Sequence, residues 1–344
     1  MARSDQIRAL FKAFMKRDDD AFLSSAGELI EEERQKGHAA LADSLLRILN
    51  NGAPKPQAIS IQNDVPIDRE RGLPLAHIER PEFSWERVIL NQSLESTLKD
   101  IATEYRKREV FRTYGLEMKK KVLFFGPPGC GKTITARVLA GVLGLPLVYV
   151  RFDSVVSSYL GETAANLRKL FDFVARGQWV VLFDEFDAVG KGRDNPYEHG
   201  ELKRVVNTLL QLMDGFRGDS LLIAATNHWN LLDSAIWRRF DEICYFDIPS
   251  NEERVSIIIR LFTSFDHRQV DIREIAGQLQ GMTGDDIERI CIDAIKSSIL
   301  NNRKDILQSD LAESLKKHQS RLKLAKKHKK NRGSERGWDD AQRS

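Results

Sequence analysis

Apolar residues recur at helical spacing through the first fifty positions of the chain. Ile7, Leu10, Phe11 and Phe14 share one face over residues 4–17, with Ser4 placed to cap the N-terminus. Phe22, Leu23, Ala26, Leu29 and Ile30 predict a second helix ending near Gly37. Leu41, Ala42, Leu45, Leu46 and Leu49 predict a third ending near Gly52. Residues 1–52 therefore read as a small helical bundle, suited to cap a larger body or to recruit an adaptor or partner protein. The periodicity then dissolves. Five of the ten prolines fall between Ala53 and Glu82, so residues 53–82 read as an extended linker.

The pattern changes again after Glu82. A helix carrying Leu94, Leu98, Ile101 and Tyr105 leads into short apolar runs separated by helical stretches. These runs are VLFF at 122–125, LVYV at 147–150, VVLF at 180–183, LLIAAT at 221–226 and ICYFDI at 243–248. Continuous apolar strands between helices predict a mostly parallel sheet buried on both faces, here over residues 83–250. Residues 251–318 show helices only and predict a smaller all-helical lid. The fold class is thus α/β, a parallel sheet flanked by helices, followed by the lid and preceded by the N-terminal bundle.

Composition narrows the setting. The chain has 344 residues, 42% of them hydrophobic and 30% charged, enough for a real core. No stretch reaches the eighteen or so consecutive apolar residues of a membrane span, and the start lacks an apolar signal core. Cys130, Cys244 and Cys291 are too scattered for a disulfide framework or a zinc site. The expectation is a cytoplasmic protein. The net charge of +3 hides a basic run: nine Lys or Arg and no acid lie between Lys316 and Arg332. Residues 319–344 read as a basic, flexible tail.

The chemistry begins where the first run stops. GPPGCGKT, formed by Gly126, Pro127, Pro128, Gly129, Cys130, Gly131, Lys132 and Thr133, follows a strand and opens a helix. Its glycines let backbone N–H groups turn around phosphate oxygens, and the helix N-terminus favours anions. Lys132 suits the β- and γ-phosphates of ATP, and the Thr133 hydroxyl suits Mg²⁺. Cys130, beside Lys132 and a helix N-terminus, could carry a lowered thiol pKa or be a small tolerated residue. VVLFDE brings Asp184 and Glu185 to the C-terminal edge of a strand. There Asp184 can hold Mg²⁺ through water and Glu185 can act as general base on the attacking water. One strand later Asn227 offers a neutral amide to position that water. Arg238 and Arg239, adjacent in LLDSAIWRRFD, suit presentation to a neighbouring subunit's nucleotide.

Together GPPGCGKT, FDEFDA, ATN and LLDSAIWRRFD resemble the AAA family of ATPases over roughly residues 83–300. The resemblance implies hydrolysis of ATP to ADP and phosphate with Mg²⁺, in a homo-oligomeric ring, usually a hexamer. It also implies an ATP site between the phosphate loop, the segment Val88–Asn91 and the lid. Arg238 and Arg239 match the family's trans-acting arginines, and Asn227 its first sensor. Asp214 to Phe216 resembles the segment that reports nucleotide state across the subunit boundary. GMTGDD resembles the lid motif G-x-S-G-A-D, with Gly284 as a nucleotide contact. Thr283 replaces Ser, and Asp285 replaces the small residue.

The substrate reading rests on Tyr159, Leu160 and Gly161, which match the aromatic–hydrophobic–Gly triplet that lines the pore of protein-remodelling members and grips polypeptide. Residues 190–201 are polar and Gly-rich, as a second pore loop or an ordinary surface loop would be. The leading expectation is a motor that remodels, unfolds or disassembles a protein substrate through a central pore. One alternative is a nucleic-acid-dependent ATPase using the basic tail, although that run lacks interleaved aromatics. Another is a nucleotide-gated scaffold or regulator of a partner protease.

Overall fold

The computed structural model describes residues 11–12, 19–36, 65–68, 71–151, 160–186, 199–231 and 234–341. The chain divides into two units, Met1–Asp64 and Val65–Ser344. In the first, helix α1 spans Asp19–Gln35 and buries Ala26 and Ile30, one turn apart on the same face. This is the second of the three expected helices. Only residues 11 and 12 of the first are described, as helix, and the third lies outside the described residues.

The second unit is built on six strands: β1 (His77–Glu79), β2 (Lys121–Phe125), β3 (Leu147–Arg151), β4 (Val180–Asp184), β5 (Leu221–Thr226) and β6 (Glu242–Tyr245). Their order is β1-β3-β4-β5-β2-β6. Every pairing is parallel except β1 with β3. The period of two sorts the side chains between the faces. Leu123, Val148, Val150, Val181, Phe183, Leu222 and Ala224 pack on one side with α5 (Leu160–Ala175) and α6 (His199–Asp214). Their neighbours Val122, Phe124, Leu147, Val180, Leu182, Leu221 and Ile223 pack on the other with α2 (Gln92–Arg106) and α4 (Lys132–Leu143). Both faces of the four central strands β2–β5 are covered, which is why these strands read as unbroken apolar runs. Two short helices, α3 (Arg108–Thr113) and α7 (Ser234–Trp237), also belong to this sheet-containing part.

The expected linker over 53–82 needs correction at its C-terminal end. Ile67 and Pro74 bridge, and Leu75 N–H donates to Pro66 O at 2.8 Å. Asp68 is 1% exposed and accepts from Asn166 Nδ2 of α5 at 3.2 Å. His77–Glu79 then pairs antiparallel with β3. Prolines are tolerated here because an edge strand leaves half its amides outside the ladder. Residues 65–82 thus belong to the sheet-containing unit.

The lid comprises α8 (Asn251–Leu261), α9 (Ile272–Gln278), α10 (Gly284–Leu300) and α11 (Gln308–Ala341) around Ile258, Phe262, Leu279, Ile287, Ile290 and Leu311. Ser250 with Glu253 and Thr283 with Asp286 form capping boxes that start α8 and α10. Helix α11 runs through Ala341, so the stretch expected as a flexible tail is helical over most of its length. It contains no proline and is rich in Lys and Arg, both good helix formers. No described helix is long and apolar enough to cross a membrane.

Candidate functional site

At the C-terminal end of β2 the backbone enters a turn that only glycine accommodates. Gly126, Gly129 and Gly131 have φ of 141°, 77° and 93°. A Cβ at Gly126 would lie 2.0 Å from the Phe246 carbonyl oxygen, so the backbone just after β6 excludes any side chain there. Lys132 is buried, and its Nζ donates to the Gly126 and Pro127 carbonyls at 2.7 and 2.8 Å, drawing the loop around the ammonium. Helix α4 begins at that lysine, so its first N–H groups face the inside of the turn. At Cys130, burial pushes the thiol pKa up and outweighs the opposing pull of Lys132. The lowered value considered from sequence is therefore reversed.

Two strands away, β4 delivers Asp184 to the same edge. Thr133 Oγ1 and Tyr149 OH both donate to Asp184 Oδ2, at 3.0 and 3.1 Å. Glu185 follows in the left-handed region with φ of 55°, uncommon for a residue with a side chain, and its N–H donates to Asp184 Oδ1 at 2.9 Å. Asn227 follows β5. These groups border a cleft of about 430 Å³ that also takes in Pro128–Thr133, Val88–Leu90, Ile257, Gly284 and Glu288. The lid touches the loop directly: Asp285 N–H donates to Gly129 O at 3.0 Å. Gly126 and Pro127 support the loop from behind, outside the cleft wall.

Three cations on the cleft were not singled out from sequence: Arg87, Arg137 and Arg260. Arg137 stands one turn beyond Thr133 on α4, and that spacing could have indicated it. It is bonded to Glu79 of β1 at 2.8 Å, which holds the Glu79 carboxyl below its usual range. Arg260 donates to the Arg87 carbonyl, and burial lowers its pKa. These two come from segments 173 residues apart, and nothing local joins them.

Arg238 and Arg239 follow α7 and are not among the described residues lining this cleft. Arg239 Nε lies 3.1 Å from Asp214 Oδ2, joining two segments singled out separately from sequence. Tyr159 lies outside the described residues. Leu160 and Gly161 open α5, and most of residues 190–201 also lies outside.

Residues 122–248 match the family profile described as ATPase family associated with various cellular activities (AAA). The chain is 38% identical over 321 residues to an uncharacterized AAA family ATPase, y4kL, of Sinorhizobium fredii, covering 92% of this chain and 95% of that protein. It is 35% identical over 237 residues to the proteasome-activating nucleotidase of Methanoregula boonei, covering 66% and 54% respectively. It is 32% identical over 255 residues to the ATP-dependent zinc metalloprotease FtsH 3 of Sphaerobacter thermophilus, covering 72% and 52%. The match thus spans about half the length of the last two relatives.

Proposed function

Because the chain belongs to the AAA family of ATPases, on its protein-remodelling branch, we propose that the cleft between sheet and lid is the ATP site. We further infer that a ring of copies, hexameric as in the resemblance drawn above, couples hydrolysis to remodelling of a protein substrate. The observation that carries the site is one cleft holding the glycine turn, Lys132, the Thr133–Asp184 pair and Glu185. The amides of Gly129–Thr133 receive the phosphates, and Lys132 exchanges carbonyl partners for β- and γ-phosphate oxygens. Thr133 and Asp184 are hard oxygen donors already 3.0 Å apart, a pair suited to hold Mg²⁺ with water and phosphate completing the shell. When bound, Mg²⁺ neutralises charge on the phosphates. Glu185 takes the proton of the attacking water, Asn227 positions that water, and ADP and phosphate leave. Gly284 and Ile257 close the lid side, and Val88–Leu90, with Ile89 packed on the lid core, line the same cleft.

Lys132→Ala is expected to weaken ATP binding by about 10²-fold or more, since it removes a desolvated charge-assisted contact. Equilibrium binding of a fluorescent ATP analogue checks this, and retained affinity would remove the assignment. The proteasome-activating nucleotidase and FtsH relatives support a protein substrate. Tyr159, Leu160 and Gly161 are then the gripping loop, in which an aromatic ring can lodge between side chains of an extended chain. Steady-state hydrolysis should rise with an unfolded polypeptide in wild type and lose that stimulation in Tyr159→Ala. Stimulation by single-stranded DNA that survives Tyr159→Ala and falls with salt would instead place the function on the basic run of α11.

A further inference from the structure

The first turn of α10 touches the phosphate loop, and that turn is itself held from the far side of the lid. Asp285 N–H reaches the Gly129 carbonyl at 3.0 Å. A Cβ on Gly129 would sit 2.7 Å from Thr283 Oγ1, so the fit has no slack. Thr283 is fixed in turn by Asp286, whose Oδ2 accepts from the Thr283 N–H at 3.1 Å and its hydroxyl at 2.7 Å. The other carboxylate oxygen, Oδ1, lies 3.1 Å from Nε2 of His318 on α11.

His318 does not fit its surroundings as a packing residue. Its side chain is 7% exposed, and it continues the face on which Leu311 and Leu315 enter the lid core. An aliphatic side chain would fill that stripe without burying two ring nitrogens. Nδ1 has no hydrogen-bond partner, and Nε2 faces the Asp286 carboxylate at 3.1 Å without forming an aligned hydrogen bond. Burying such a group is unfavourable unless a partner compensates, and Asp286 is the carboxylate within reach.

We propose that His318 is a positioning residue for nucleotide binding: it orients the Asp286 carboxylate, which through Thr283 seats the first turn of α10 against the phosphate loop. This rests on the cleft being the ATP site. A carboxylate held from one side only can swing away from the cap. A cap that loosens moves the Asp285 amide off Gly129.

The test uses the full chain with a fluorescent ATP analogue and steady-state hydrolysis. His318→Ala is expected to weaken nucleotide binding roughly three- to tenfold, with the change read in KM rather than kcat. His318→Gln, whose amide nitrogen can reach the same carboxylate oxygen, should recover most of the loss. Leu315→Ala, which removes packing from the same helix face, should lower Tm without that loss of affinity. Equal loss of affinity in Leu315→Ala and His318→Ala would reduce His318 to a structural residue and overturn the proposal. Wild-type affinity in His318→Ala, or no recovery with Gln, would also overturn it. Lys132→Ala run beside them separates the two levels. If it loses ATP while His318→Ala does not, only the relay fails, whereas normal binding by Lys132→Ala removes the site and the relay together.

Discussion

A Glu185→Gln variant will still bind ATP and will turn it over at least about 10²-fold more slowly, the usual contribution of a general base. That corresponds to roughly 3 kcal/mol or more of barrier. Glutamine keeps the length and volume of the side chain and removes only its ability to take a proton. The backbone is already committed: Glu185 has φ of 55°, and its N–H is bonded to Asp184 Oδ1 at 2.9 Å. The substitution therefore leaves the turn, the Thr133–Asp184 pair and the phosphate loop in place. Single-turnover hydrolysis against equilibrium binding separates the two effects. Turnover at the wild-type rate would show that another group activates the water. Weakened binding of the same size would show that Glu185 serves the ground state.

In the proposed ring, Arg239→Ala is expected to keep nucleotide affinity and lose about 10³-fold or more of hydrolysis, the scale of a trans-acting arginine. Arg239 lies outside the wall of its own cleft and is bonded to Asp214 instead. Both side chains of that pair are substantially exposed, 33% and 48%, so the bond contributes at most about 1 kcal/mol and its loss will not unfold the protein. Asp214 opens the Asp214–Phe216 segment, and in the proposed ring the pair would hold the guanidinium ready for a neighbouring subunit. Mixed rings make the test direct. A Lys132→Ala protomer, expected to bind ATP poorly, still supplies Arg239, so an Arg239→Ala protomer beside it should regain hydrolysis. Absence of recovery at such interfaces would argue that the arginine acts within its own chain.

What the sequence determined by itself is the local chemistry. A strand, a glycine turn and a helix N-terminus are contiguous in the chain, so the phosphate loop from Gly126 to Thr133 is legible where it stands. Asp184, Glu185 and Asn227 are legible for a related reason: strands buried on both faces must be apolar, and their polar ends mark one edge of the sheet. Four of the five strand runs lie within a residue of the observed bounds at either end. The fifth is shorter, because after Tyr245 the chain leaves the ladder. Only the tertiary structure decided the rest. Strand β1 is three residues of mixed character among prolines, and it becomes a strand because the edge of β3 offers unsatisfied amides. Arg260 and Arg87, or His318 and Asp286, meet across tens to hundreds of residues, so no periodicity joins them. Their pairing follows from the packing of the lid helices, which brings together segments distant in the chain.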